Sequence, residues 1–125
     1  MYDKHLLLEK LSQIDDALER VKRRFSSIKT VDQFLDSEQG LDMLDSIAMM
    51  LIAVGENFKK IDTDTEGKLF MRYQYINWSG VKGIRDVLSH QYFNIDAEEI
   101  FRICSHDLPD LHHAVKDMIK NIDIF

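Results

Sequence analysis

The sequence predicts an all-α fold, an antiparallel bundle of four or five helices, and three observations lead there. One proline and five glycines in 125 residues leave too few turn-forming positions for a fold of many short strands. Apolar residues recur at spacings of three and four over most of the chain, the period of one helix face. A composition of 45% apolar and 30% charged residues is that of an ordinary globular domain, and residues 1–125 are expected to form a single one.

The elements follow in order. Leu7, Leu8, Leu11, Ile14, Leu18, Val21, Phe25 and Ile28 make one apolar stripe and predict a first helix of about six turns. Thr30 is placed to cap a short turn or helix over Val31–Leu35 with its hydroxyl, ahead of Gly40. The next helix carries Leu41, Leu44, Ile47, Ala48, Leu51, Ile52 and Phe58. It is apolar on nearly every side from Met49 to Val54, which predicts burial in the centre of a bundle or against a second copy of the chain. Asp62–Gly67 is a polar loop that mimics the start of a calcium-binding EF-hand. The twelfth position from Asp62 is Tyr73, however, which has no carboxylate to give the ion.

Residues 68–92 read as one or two helices with Phe70, Met71, Tyr75, Ile76, Trp78, Val81, Ile84 and Leu88 available to the core. Gly80 and Gly83 are expected to admit a close neighbour. Met49, Met50, Trp78 and the tyrosines are assigned to packing, not to a cofactor. Asp96, with Glu99 three residues on, resembles a capping box that opens a short helix through Ile103. Pro109 suits the first turn of a last helix, whose stripe is Leu111, Val115, Met118, Ile119 and Ile122.

Charge and cysteine usage narrow the function. The net charge of −6 argues against coating nucleic acid by bulk electrostatics. Residues 68–92 are nonetheless electropositive, with four basic side chains against one acidic. Cys104 stands alone, so no intrachain disulfide forms and a reducing, cytoplasmic setting is expected. The longest apolar run, Ile47 to Val54, falls far short of the ~20 residues a membrane-spanning helix needs, and no membrane association is expected. The chain has no glycine-rich phosphate loop, no Gly-x-Ser-x-Gly elbow and no Cys-x-x-Cys pair. His106, Asp110, His112 and His113 invite a metal reading. Adjacent histidines point about 100° apart on a helix, so these residues are taken as surface or interface polar groups.

The informative stretch is Asn77 to Tyr92. Arg85 can hold a phosphate bidentately, His90 can move a proton near neutrality, and Asp86, four residues before His90, can orient its imidazole. RNA cleavage by such residues needs no metal and no cofactor, because the neighbouring 2′-hydroxyl becomes the nucleophile once a base takes its proton. On one straight helix Arg85 and His90 stand about 140° apart, and Arg85 and Tyr92 only about 20°. Either the helix ends near His90, or two copies of the chain meet and line one cleft together.

Arg85, four residues, His90, one residue and Tyr92 resemble the R-x4-H-x-Y motif of the HepT toxins in the HEPN superfamily. Asp86, Asn77-Trp78, the all-α layout and Asp107-Leu108-Pro109 before the last helix extend the likeness over the whole chain. The resemblance implies a helical homodimer acting as a metal-independent endoribonuclease. Arg85 would bind and polarise the phosphate and His90 would carry the proton transfer. It implies a partner, the minimal nucleotidyltransferase antitoxin MntA, that silences the toxin by attaching AMP to Tyr92. Two other readings stay open on the residues themselves. One is a non-catalytic helical module that binds a nucleotidyltransferase or another protein, and the other is an accessory subunit of the partner's adenylyl transfer.

Overall fold

The first helix, α1 (Lys4–Phe25), forms where the three-four stripe places it, burying Leu7, Leu11, Ile14, Leu18 and Val21. Asp3 caps it, its carboxylate accepting from the amides of His5 (2.8 Å) and Leu6 (3.4 Å), while Lys22, Arg23 and Arg24 complement the dipole in the last turn. The structure, a computed structural model, describes residues 3–89 and 96–124, and of residues 85–89 the backbone only.

The short α2 (Asp32–Leu35) is capped differently from the expectation. Its N-cap position is Val31, and no side chain caps it. The Gln33 side-chain carboxamide oxygen accepts from the amides of Lys29 and Thr30, the latter at 3.3 Å, so the longer side chain reaches back over two donors and the Thr30 hydroxyl is not the cap. α3 (Glu38–Asp64) begins before Gly40, with the Ser37 hydroxyl accepting from the Gly40 amide at 2.9 Å. Gly40 is therefore not a helix breaker but the point where α3 presses on α2. A methyl group there would overlap the Gln33 carbonyl oxygen.

At its far end α3 closes with a Schellman turn. The Gly67 amide donates to the Asp62 carbonyl (2.9 Å) and the Glu66 amide to the Thr63 carbonyl (3.2 Å), with Glu66 at φ 55° and Gly67 at φ 75°. The segment that mimicked an EF-hand is this turn, and the Asp62 carboxylate is committed to Lys82 at 2.8 Å. A 3-10 turn at Phe70–Arg72 leads to α4 (Trp78–Ser89). Next come α5 (Ala97–Arg102) and a π-helical turn (Ile103–Asp107), which runs straight into α6 (Leu108–Lys120) with Pro109 in its first turn. Asp96 caps α5 through the Glu99 amide (3.1 Å), as expected, but the Glu99 carboxylate turns to Arg102 instead of closing the capping box.

The helices pack as an all-α bundle. Lys10 meets Asp64 (2.6 Å) and Gln13 meets Asn57 (3.3 Å), so α1 and α3 run antiparallel. His112 meets Asp15 (2.7 Å) and Lys4 meets the Asp123 carbonyl (3.4 Å), which sets α6 antiparallel to α1. Leu11, Ile14, Phe34, Ile47, Phe58 and Met118 are sealed from solvent, each contributing roughly 1.5–3 kcal/mol by burial. α3 is not covered on every side within one chain: Met49 is 65% exposed and Met50 half-buried. Tyr75, at 64% exposed, is likewise outside the core, whereas Tyr73 and Trp78 are packed as expected. Gly80 faces the side chain of Asn77, and among the described residues nothing lies near the open side of Gly83, so within these residues neither shows the close neighbour expected of it. No helix among the described residues is long and apolar enough to cross a membrane.

Candidate functional site

α4, the helix that carries the informative stretch, is anchored along its first two turns. The Asn77 carboxamide oxygen accepts from the Gly80 amide at 3.1 Å and starts the helix. Trp78 stacks on Phe70 with ring centroids 3.9 Å apart, packs on Phe58 at 5.3 Å, and donates its indole N–H to the Tyr73 carbonyl at 2.9 Å. Four residues on, Lys82 forms its ion pair with Asp62 and Ile84 is buried. The Tyr73 hydroxyl in turn donates to Asp117 on α6 at 2.7 Å. Burial and that hydrogen bond to a carboxylate hold its proton well beyond the ordinary phenol range. Arg85 and Asp86 sit on α4 after these anchors. His90 and Tyr92, together with the side chains of Arg85 and Asp86, lie outside the described residues.

Beside α4 opens a cavity of about 410 Å³ whose other wall is the π-helical turn and the start of α6. Val81 and Ile84 line it from α4 and Ile103 and Leu111 from the opposite side, with Tyr75, Arg102, His106 and Asp110 at its polar rim. Arg102 is clamped between Glu99 (2.7 Å) and Asp107 (3.0 Å). The hydrogen bond from Arg102 keeps the Glu99 carboxyl below the ordinary range. His106 and Asp110, singled out in the sequence, are thus neighbours on one cavity. His112 and His113 diverge as adjacent helical residues must, the first buried and the second exposed.

A second polar group went unrecognised in the sequence. On the seam between α1 and α6, His112 Nε2 lies 2.7 Å from Asp15 and 3.4 Å from Glu19, and the Lys116 ammonium lies 3.2 Å and 3.4 Å from the same two carboxylates. Burial pushes the Asp15 carboxyl up, but hydrogen bonds from His112 and Lys116 outweigh it and hold the group below the ordinary carboxylate range. Asp15, Glu19 and His112 are close enough to ligate a metal ion. Lys116 already supplies the positive charge that a cation would bring. The signal was present as two pairs at i and i+4, acidic on α1 and basic on α6, but sequence spacing does not say which helices face each other. Cys104, on the far side of the π-helical turn, is buried, and burial pushes its thiol up to about 12, so it is a packing residue and not a nucleophile.

The all-α helix order and the electropositive stretch that carries Arg85, His90 and Tyr92 agree with the resemblance to HEPN-type ribonucleases. Residues 14–118 match the family described as ribonuclease HepT-like, and the chain belongs to that family. Two proteins of Methanocaldococcus jannaschii, named as candidate RNases, are similar along most of their length. MJ0125 is 25% identical over 120 residues, 96% of this chain and 93% of that protein. MJ0127 is 29% identical over 110 residues, 86% and 85% of the two chains. No solved structure matches the chain significantly. The resemblance read from the motif and helix order is borne out at the level of the family, and family membership supports endoribonuclease activity.

Proposed function

We propose that the protein is a metal-independent endoribonuclease that serves as the toxin of a toxin–antitoxin pair of the HepT/MntA type. The observation that carries the reading is that the family match over residues 14–118 contains the whole stretch from Arg85 to Tyr92, on and just after the helix that Trp78 and Lys82 anchor. Arg85 binds the scissile phosphate through its guanidinium fork and offsets the charge that builds on the phosphoryl oxygens. His90 takes the proton of the 2′-hydroxyl, whose oxygen attacks phosphorus while the 5′-oxygen leaves. The cut leaves a 2′,3′-cyclic phosphate and a 5′-hydroxyl. Asp86 orients the imidazole. Two chains bring two motifs to one cleft, so that one His90 acts as base and the other as acid.

The exposed side of α3 around Met49 supports the homodimer, because a monomer leaves those apolar groups in water. The cognate partner in this reading is a minimal nucleotidyltransferase that attaches AMP to Tyr92, placing negative charge and bulk where RNA must enter. The test is cleavage of total tRNA and messenger RNA in excess EDTA by the wild type, Arg85→Ala and His90→Ala, with intact mass measured on each preparation. Cleavage by the wild type alone supports the reading. Retained cleavage in both variants, or no cleavage by wild type free of added AMP, overturns it. Light scattering at micromolar concentration tests the dimer separately, and a monomer contradicts it.

A further inference from the structure

Among the described residues, the lining of the cavity beside α4 is unlike that of a phosphate site. We propose that it is a base-binding subsite that takes a guanine of the RNA next to the scissile phosphate, with Tyr75 stacking on the base and Asp110 accepting hydrogen bonds from its donor edge. The inference rests on the ribonuclease reading of α4, and four observations argue for it.

The first is shape. At about 410 Å³ the cavity falls within the size range of small-ligand sites, and Ile76, Val81, Ile84 and Ile103 give it an apolar floor for a planar ring. The second is charge. Among the described residues Glu99, Asp107 and Asp110 line the cavity, and the guanidinium there, Arg102, is already paired with the first two. A phosphate would be repelled there, whereas a neutral base with N–H donors would be held.

The third is what stays open to a ligand. Among the described residues Asp110 makes no hydrogen bond or ion pair, and the Tyr75 ring, in edge contact with Tyr73 at 6.4 Å, is still 64% exposed at the rim. Aromatic stacking together with hydrogen bonds to the Watson–Crick edge is how proteins read unpaired RNA bases. A carboxylate accepts from two adjacent donors at once, and guanine offers them in N1–H and the 2-amino group. Adenine and cytosine offer only the amino group on that edge, and uracil flanks its N–H with carbonyls that the carboxylate repels. The fourth is position. Ile84, which lines the cavity, directly precedes Arg85 on α4, so the cavity and the residue assigned to the phosphate are neighbours along one helix.

The experiment uses the full chain carrying His90→Ala, so that RNA is bound but not cut, and fluorescence anisotropy with two labelled eight-nucleotide RNAs of alternating guanosine and uridine or inosine and uridine. Inosine differs from guanosine only by the missing 2-amino group. The guanosine RNA should bind about tenfold or more tightly than the inosine RNA, the scale of one hydrogen bond to a charged acceptor. Adding Asp110→Ala should bring the two affinities together, and Tyr75→Ala should weaken both about tenfold or more. Equal affinities in the His90→Ala protein, or a preference that Asp110→Ala leaves intact, would overturn the subsite. Thermal melting of each variant checks folding, and Asp110→Asn replaces Asp110→Ala if the latter is unfolded. Cleavage by the wild type is scored separately. Its absence counts against the ribonuclease reading, while the binding ratio decides the subsite.

Discussion

Two polar regions flank α6, and they are finished in opposite ways. On the seam with α1, His112, Lys116, Asp15 and Glu19 satisfy one another within 3.4 Å. At the cavity facing α4, Arg102 is spoken for, but Asp110 and Tyr75 are left facing solvent. A polar cluster whose members pair among themselves holds helices in register, whereas an exposed carboxylate and an exposed ring face beside an apolar floor are available to a ligand. The seam is accordingly assigned to stability and the α4 side to function.

The largest expected effect falls on the α4 side. Arg85→Ala and His90→Ala should each reduce RNA cleavage by about 10²–10⁴-fold with little change in melting temperature, checked by a gel assay beside calorimetry. A loss of activity that merely follows unfolding would break the comparison. Gly40→Ala, at the contact of α3 with α2, should destabilise by about 1–3 kcal/mol in urea, since its methyl group meets the Gln33 backbone carbonyl. Destabilisation with full specific activity of the folded fraction would show that packing faults alone do not reach the site.

The fold was legible wherever a single segment contained its own reason. The stripe of α1, the Asp96 cap and Pro109 in the first turn of α6 depend only on residues within a few positions of one another. Where two groups compete for one role, spacing was not enough. The Gln33 carboxamide reaches back to the Lys29 and Thr30 amides while the Thr30 hydroxyl caps nothing, and Gly40 lies inside α3, where α2 packs against it. Met49 was assigned to packing, yet within one chain it is 65% exposed. The candidate site divides the same way. Its motif is read directly from Arg85 to Tyr92, but the cavity brings Tyr75 together with Asp110, 35 positions apart, and only folding does that.

Smaller effects sharpen the contrast from the seam side. His112→Ala should cost about 1–3 kcal/mol in chemical denaturation, because it strips a partner from Asp15, and should leave cleavage unchanged. Lost cleavage at full stability would assign the seam a functional role. The pH dependence carries the same sign. Asp15 is held below the ordinary carboxylate value, so its contribution is fully present above about pH 4 and lost as the pH falls through the lowered value. Asp15→Asn should therefore flatten the acid side of the stability curve. An unchanged curve between about pH 2 and pH 5 would show that the seam stores no such energy.

The central claim is that α4 and the residues following it cut RNA with the 2′-hydroxyl as nucleophile. It is tested most directly by the ends of the product. A short RNA incubated with the wild type in excess EDTA should yield a 2′,3′-cyclic phosphate and a 5′-hydroxyl by mass spectrometry, and a single 2′-deoxy substitution at the cut site should abolish the cut. Cleavage that EDTA stops, or that leaves a 5′-phosphate and survives the 2′-deoxy substitution, would contradict the account.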